Sequence, residues 1–287
     1  MSFKQIGFIG LGAMGLPMAK NLIKNGFELH IIAHKNREPV EELKNEGATE
    51  HNSLSDLARS AEVLISILPT DREMEGVLLS KDVLENLSED SLLIEMTSGT
   101  PEMMKKVSEA YGKKGIEVLD APVSGGTAGA EQGTLTVMTG GDDEVLDRVR
   151  PVLDAMAKNI FLVGGIGAGK GIKAINQMLA GIHMTATAEA LALAEKLEID
   201  KENIKEVIGT SSGASWMLMN KIDPVSEEQF EPGFKHKLMR KDLNIAVSEA
   251  KGLNLPVASL VLDMFEKSED SFGELDFSAI SKTYRND

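Results

Sequence analysis

The run Ile6-Gly7-Phe8-Ile9-Gly10-Leu11-Gly12-Ala13-Met14-Gly15 decides the fold. It begins as an apolar strand and ends where a helix opens, with Leu16, Ala19, Leu22 and Ile23 on one helical face. Between strand and helix stand three glycines spaced G-x-G-x-x-G. Each has its own physical reason. Gly10 permits a tight turn, Gly12 lets a pyrophosphate approach the backbone, and Gly15 lets helix and strand pack closely. The helix N-terminus adds N–H donors and positive potential for phosphate oxygens. Gly10, Gly12 and Gly15, with Leu11, Ala13 and Met14 between them, therefore read as a dinucleotide-binding turn.

Outward from this turn, short apolar runs alternate with helical patterns. Strands are expected at 5–10, 29–33, 62–68, 91–97, 117–123, 133–141 and 159–163, rich in Ile, Val and Leu. The stretch 101–112, with Met103, Met104, Val107 and Tyr111 at helical spacing, is an example of the helices between them. A further helix is expected to start near Asp142, where acidic residues suit its positive end. Such alternation implies a parallel sheet covered on both faces. Beyond Gly164 the strand pattern stops, and residues 167–196 are almost all helix formers without proline. Helical segments are also expected at 201–211, 234–252, 256–268 and 276–284. The fold class that follows is a Rossmann-type α/β N-terminal domain with a mainly parallel sheet, residues 1–164. An all-α C-terminal domain, residues 165–287, follows it.

The chain has 287 residues, 42% hydrophobic and 26% charged, with a net charge of −15. That acidity opposes a nucleic-acid partner. No cysteine is present, which excludes disulfides, a thiolate nucleophile and Cys-ligated metal. No stretch approaches the about 18 consecutive apolar residues of a membrane span, and no signal peptide is recognisable at the N-terminus. The expectation is a cytoplasmic globular protein with no membrane partner. No H-E-x-x-H, EF-hand loop or serine nucleophile elbow occurs, and no metal is expected.

The second expected strand ends at Ala33, about where an acid would hold the adenosine ribose of NAD. None stands there. His34, Lys35, Asn36 and Arg37 follow instead, either a solvated turn or a site for a 2′-phosphate. NADP(H) is favoured on this ground, with NAD(H) possible. Lys173 and Asn176, three apart, share one face of the long helix behind Gly167-Ala168-Gly169. Spacing alone leaves Lys173 open between a solvated lysine and a general acid or base. Ser124-Gly125-Gly126 is either a surface turn or a pair of N–H groups presented to an anion.

Taken together, these segments resemble the β-hydroxyacid dehydrogenase family over nearly the whole chain. The resemblance rests on Gly7–Gly15, Leu68-Pro69, Asp120-Ala121-Pro122-Val123-Ser124-Gly125-Gly126, Gly167-Ala168-Gly169, Lys173 with Asn176, and Phe234 followed by Lys241-Asp242-Leu243. It implies hydride transfer between a nicotinamide cofactor and a small β-hydroxy acid or the corresponding semialdehyde, without a metal. Lys173 would be the catalytic general acid/base, and Asn176 would orient the substrate beside it. Ser124, Gly125 and Gly126 would cradle the substrate carboxylate. Leu68, Pro69, Ser98 and Lys241 would border the cofactor. The family's helical domain also implies a homodimer or homotetramer. A non-catalytic NADP-binding, redox-sensing module is the alternative, opposed by the intact Lys173, Asn176 and Ser-Gly-Gly segment. Three departures stand out. Glu95-Met96-Thr97-Ser98 replaces a more usual Asp-x-Ser-Thr, Gln177 replaces a second Asn, and Ala214 replaces an Arg present in some relatives. The loop 211–216 is expected to border the substrate pocket.

Overall fold

The computed structural model describes residues 3–284. Two compact units divide the chain, Met1–Lys173 and Ala174–Asp287.

In the first unit, nine strands among the described residues form one sheet. They are β1 (Gln5–Ile9), β2 (Glu28–Ile32), β3 (Thr49–His51), β4 (Val63–Ser66), β5 (Leu92–Glu95), β6 (Glu117–Asp120), β7 (Val123–Ser124), β8 (Leu135–Gly140) and β9 (Ala157–Gly164). The order is β3-β2-β1-β4-β5-β6-β8-β7, with β9 also paired to β8. Pairings from β3 through β6 are parallel, and β8 runs antiparallel to β6 and β7 but parallel to β9. The strand order reverses between β1 and β4, and a doubly wound sheet opens its ligand crevice outside the carboxyl ends at that point.

Alternate residues of a strand face opposite sides. Val63 and Ile65 of β4, with Leu92 and Ile94 of β5, enter one apolar core. Leu64 and Leu93 enter the other. Burial on both faces explains the unbroken apolar runs in the sequence. Helices α1 (Gly15–Lys24), α2 (Glu38–Asn45), α3 (Leu54–Ser60), α4 (Asp71–Leu78), α5 (Lys81–Leu84), α6 (Pro101–Gly112), α7 (Gly126–Gln132) and α8 (Asp143–Asp154) complete the alternation. Asp142 caps α8 by accepting the N–H of Glu144 at 2.8 Å, as its acidic start leads one to expect. Strand β3 went unanticipated because Thr49-Glu50-His51 is a short polar edge with no room for alternation.

The strand pattern ends at Gly164, and α9 (Ala168–Lys196) begins four residues later. Lys173, the last residue of the first unit, lies within this helix. The second unit holds the rest of α9 with α10 (Lys201–Gly209), α11 (Trp216–Ser226), α12 (His236–Glu249) and α13 (Pro256–Phe272). A 3-10 helix, Phe277–Tyr284, ends the described chain where a regular helix was expected. Helix α11 also went unanticipated. Pro224 masks it in the sequence, yet this proline falls in the last turns, and Ser215 caps the start by accepting the N–H of Leu218. Met184, Met239, Leu243, Phe265, Phe277 and Ile280 anchor the core of this unit. No helix among the described residues is long and apolar enough to cross a membrane.

Candidate active site

The glycine turn has the geometry that a diphosphate requires. Gly10 adopts φ +105°, and a Cβ there would lie 2.0 Å from the carbonyl oxygen of Ile67. A Cβ on Gly15 would lie 1.8 Å from the carbonyl oxygen of Gly10. These two glycines close the turn against β4 and against itself. Gly12 differs, since a Cβ there would meet nothing within 4 Å. The open side of the loop is therefore where a bound group can approach the backbone. Helix α1 opens with no side-chain cap and no acid in its first turn, leaving its positive end toward that approach. These residues fit a dinucleotide.

The loops that follow β4 and β5 are tied together. The N–H of Leu68 donates to Oγ1 of Thr97 at 2.8 Å. Asp71 accepts from the N–H of Thr100 at 3.1 Å and from its hydroxyl at 2.6 Å. Leu68, Pro69 and Ser98 accordingly stand on adjoining loops at the carboxyl edge of the sheet, beside the glycine turn.

Behind these loops lies a buried polar knot. The side chains of Lys170 and Glu95 form an ion pair with no exposed surface on either. The ammonium of Lys170 also donates to the carbonyls of Glu95 at 3.2 Å and Thr97 at 2.6 Å. The Glu95 carboxylate accepts the N–H of Thr97 at 3.1 Å. Asp120, at the tip of β6, accepts the N–H of Gly167 at 3.2 Å and that of Lys170 at 3.0 Å. Burial pushes the Asp120 carboxyl above the usual carboxylate range, against the opposing pull of the Lys170 charge and these N–H groups. A Cβ on Gly169 would fall 2.3 Å from the carbonyl oxygen of Met138 and 2.7 Å from Asp120 Oδ2. Gly169 therefore serves the close approach of the protein's own chain.

Lys173 follows Lys170 by three residues on α9 and is 8% exposed. Within the second unit, the next polar residues of α9 form a chain. Asn176, half-buried, donates to Gln177 Oε1 at 3.0 Å. Gln177 donates to Asp242 Oδ2 at 2.7 Å. The other oxygen of Asp242, only 3.0 Å from the Lys241 ammonium, has no directed hydrogen bond, so that contact is ionic. Ser124 ends β7, and Gly125 (φ +137°) and Gly126 (φ +62°) turn the chain into α7. Gly125 and Gly126 are exposed, and a Cβ on Gly126 would meet nothing within 4 Å. His34, Lys35 and Arg37 lie exposed between β2 and α2. The Arg37 guanidinium is engaged by Glu41 at 2.7 Å and Glu50 at 3.0 Å.

Sequence reasoning passed over Lys170, Thr97, Asp120, Gln177 and Asp242 as structural groups. A signal for two of the knot's members existed. Glu95 and Asp120 are acids closing apolar strands, where a charge needs a buried partner.

Comparison with known proteins agrees with this architecture. Residues 5–165 match the family described as the NAD binding domain of 6-phosphogluconate dehydrogenase. Residues 167–284 match the NAD-binding family of NADP-dependent 3-hydroxyisobutyrate dehydrogenase. A 3-hydroxyisobutyrate dehydrogenase of Pseudomonas aeruginosa is 40% identical, over 98% of each chain. An NAD-dependent L-serine dehydrogenase of the same species is 38% identical, again over 98% of each. The structure of Mycobacterium tuberculosis 3-hydroxyisobutyrate dehydrogenase with L-serine superposes with a TM-score of 0.92, at 32% identity and with both chains fully covered. The fold and the glycine turn define a nicotinamide-dependent oxidoreductase. The chain belongs to the β-hydroxyacid dehydrogenase family.

Proposed function

We propose that this enzyme transfers a hydride between NADP(H) and a small β-hydroxy acid or its semialdehyde, with Lys173 moving the proton. The observation that carries the reading is the division of labour between two lysines one turn apart. Lys170 directs its ammonium to Glu95 and to the carbonyls of Glu95 and Thr97, deep behind the cofactor loops. That lysine is structural. Lys173, on the next turn, is the one that the family's pattern matches.

The nicotinamide, when bound, supplies or takes up the hydride. During reduction the carbonyl carbon of the substrate gains the hydride, and its oxygen takes a proton from the Lys173 ammonium. The resulting amine is reprotonated from solvent, and oxidation runs the same transfers backwards. A cationic Lys173 also stabilises the negative charge that develops on that oxygen. The N–H groups at Ser124, Gly125 and Gly126 would receive the substrate carboxylate, at a turn where both glycines are exposed and the space beside Gly126 is open. Asn176 would orient the hydroxyl-bearing end, Leu68, Pro69 and Ser98 would border the cofactor, and Lys241 would contact its nicotinamide end. The choice of NADP(H) rests on His34, Lys35 and Arg37, with no carboxylate at the end of β2.

A screen of 3-hydroxyisobutyrate, L-serine and related hydroxy acids and semialdehydes, with both cofactors, tests the activity directly. With the best substrate, Lys173→Met is expected to lower kcat by roughly 10²–10⁴-fold while cofactor binding survives. Near-normal turnover of that variant would remove Lys173 from the mechanism.

We also infer a homodimer or homotetramer formed through the helical unit. Leu193, Leu197, Ile199, Val207, Trp216, Leu253, Val257 and Leu260 are all exposed there, apolar side chains that a subunit interface would bury. Sedimentation as a monomer at micromolar concentration would refute this.

A further inference from the structure

We propose that the buried Glu95–Lys170 pair is a positioning device that sets the rotation of α9, and so the placement of the Lys173 ammonium against the cofactor loops. The proposal rests on the reading of Lys173 as the proton-transfer group.

Lys170 is held at both ends. Its backbone N–H is fixed to Asp120 on β6, and its ammonium to Glu95 and to the carbonyls of Glu95 and Thr97 on and after β5. A helix pinned by its backbone alone can roll about its axis. One pinned also through a long side chain cannot. The same anchor reaches the cofactor loops. Glu95 fixes the N–H of Thr97, Thr97 accepts the N–H of Leu68, and Ile67 packs on Gly10. Glycine turn, Leu68 loop, Thr97 loop and the first turn of α9 thus share one rigid frame, with Lys173 one turn further along.

The lever arm makes this consequential. A lysine tip lies about 8 Å from its helix axis, so a roll of about 7° moves it by about 1 Å. A misplacement of about 1 Å can cost roughly 10²-fold in rate. Cohesion alone does not account for the pair. Two charges withdrawn from water lose much of their hydration, and well-packed apolar groups of the same volume hold a fold together as well or better. Placement is what such groups would not supply.

The test compares Lys170→Met, Glu95→Gln and the double variant with the parent, using the acid that the parent turns over fastest. The double variant removes both charges together, so it is the deciding protein if either single variant fails to fold. It is expected to melt close to the parent and to bind NADPH within about threefold of it. Its kcat is expected to fall about tenfold or more, with KM for the acid little changed. Parental kcat in the double variant would overturn the proposal, because the pair would then only compensate its own charges. Failure of the double variant to fold would also overturn it, by making the pair a structural necessity. Lys173→Met, run in parallel, keeps the underlying reading separate. Turnover by that variant would strike the role of Lys173 and not the effect of the pair.

Discussion

The two units treat buried polar groups differently. In the sheet unit Lys170, Glu95, Thr97 and Asp120 form a closed set in which the ammonium and both carboxylates are fully engaged. In the helical unit, along Asn176–Gln177–Asp242, the Asp242 Oδ1 atom has an ionic contact with Lys241 but no directed hydrogen bond. Among the described residues, the buried side-chain polar atoms without a hydrogen bond are Asp242 Oδ1, His236 Nδ1 and Ser281 Oγ, all three in the helical unit. Two of them belong to α12, the helix that also carries Lys241. A closed network fixes geometry, whereas a buried polar atom without a hydrogen bond carries an uncompensated desolvation cost. By this measure the buried polar groups of the sheet unit are the more completely satisfied of the two.

The sharpest way to break this contrast is to remove one carboxylate from each network. Glu95→Ala strands a buried ammonium and is expected to cost about 3–5 kcal/mol, enough to unfold many domains. Asp242→Ala removes one hydrogen-bond acceptor from Gln177 and one ionic contact from the partly buried Lys241. The expected loss there is about 1–3 kcal/mol. Denaturant titration of both variants measures the difference, and equal losses would erase the distinction between the two networks.

The contrast also explains what could be read from the sequence. The mainly parallel sheet and the glycine turn were legible because unbroken apolar runs and the spacing of Gly10, Gly12 and Gly15 are local signals. Their placement needed no knowledge of distant residues. The knot was not legible, because Lys170 meets Glu95 across 75 residues of chain. Nothing in Gly169-Lys170-Gly171-Ile172-Lys173 tells which lysine pairs with Glu95. Gln177 was seen only as a departure from a family pattern, and its bond to Asp242 spans 65 residues. Helix α11 was hidden by a proline that is harmless where it stands. Local periodicity carries element type well, and the pairing of buried charges poorly.

Acid should separate the units next. His236 is fully buried against Phe265 and shares a hydrogen bond with Ser268 at 2.9 Å. Burial pulls its imidazole down from 6.5 to about 4, with Glu269 opposing and Arg240 reinforcing. The folded state therefore favours the neutral ring. Its contribution is complete above pH 6.5 and is lost as pH falls toward 4, because the unfolded chain binds the proton first. That window is worth about 3 kcal/mol. Asp120 in the sheet unit carries the opposite sign, since a raised carboxyl favours the protonated folded form as pH falls. Acid-induced unfolding should begin in the helical unit, and His236→Phe should flatten the dependence of stability on pH between 6.5 and 4. Hydrogen exchange at several pH values would locate it. Earlier opening of the sheet unit, or an unchanged slope in the variant, would contradict the comparison.

The smallest expected effect lies at the surface of the sheet unit, where a network is again closed but solvent screens it. Arg37 and Lys44 each engage both Glu41 and Glu50, two cations against two anions. Hydrogen bonds to these carboxylates hold the guanidinium above its ordinary range, and its hydrogen bonds with Arg37 and Lys44 hold Glu41 below its own. A 2′-phosphate beside β2 would have to draw Arg37 away from its carboxylates, and His34 and Lys35 would take the rest of the charge. Exposed pairs of this kind are weak, so releasing Arg37 should matter by small factors only. Glu50→Gln is expected to strengthen NADPH binding about two- to fivefold and leave NADH nearly unchanged, while Arg37→Ala should move the ratio the other way. Fluorescence titration of both reduced cofactors reads both predictions. Tighter binding of NADH by the unmodified enzyme would reverse the assignment of NADP(H). It would also recast Arg37, Lys44, Glu41 and Glu50 as a purely structural clasp between β3 and α2.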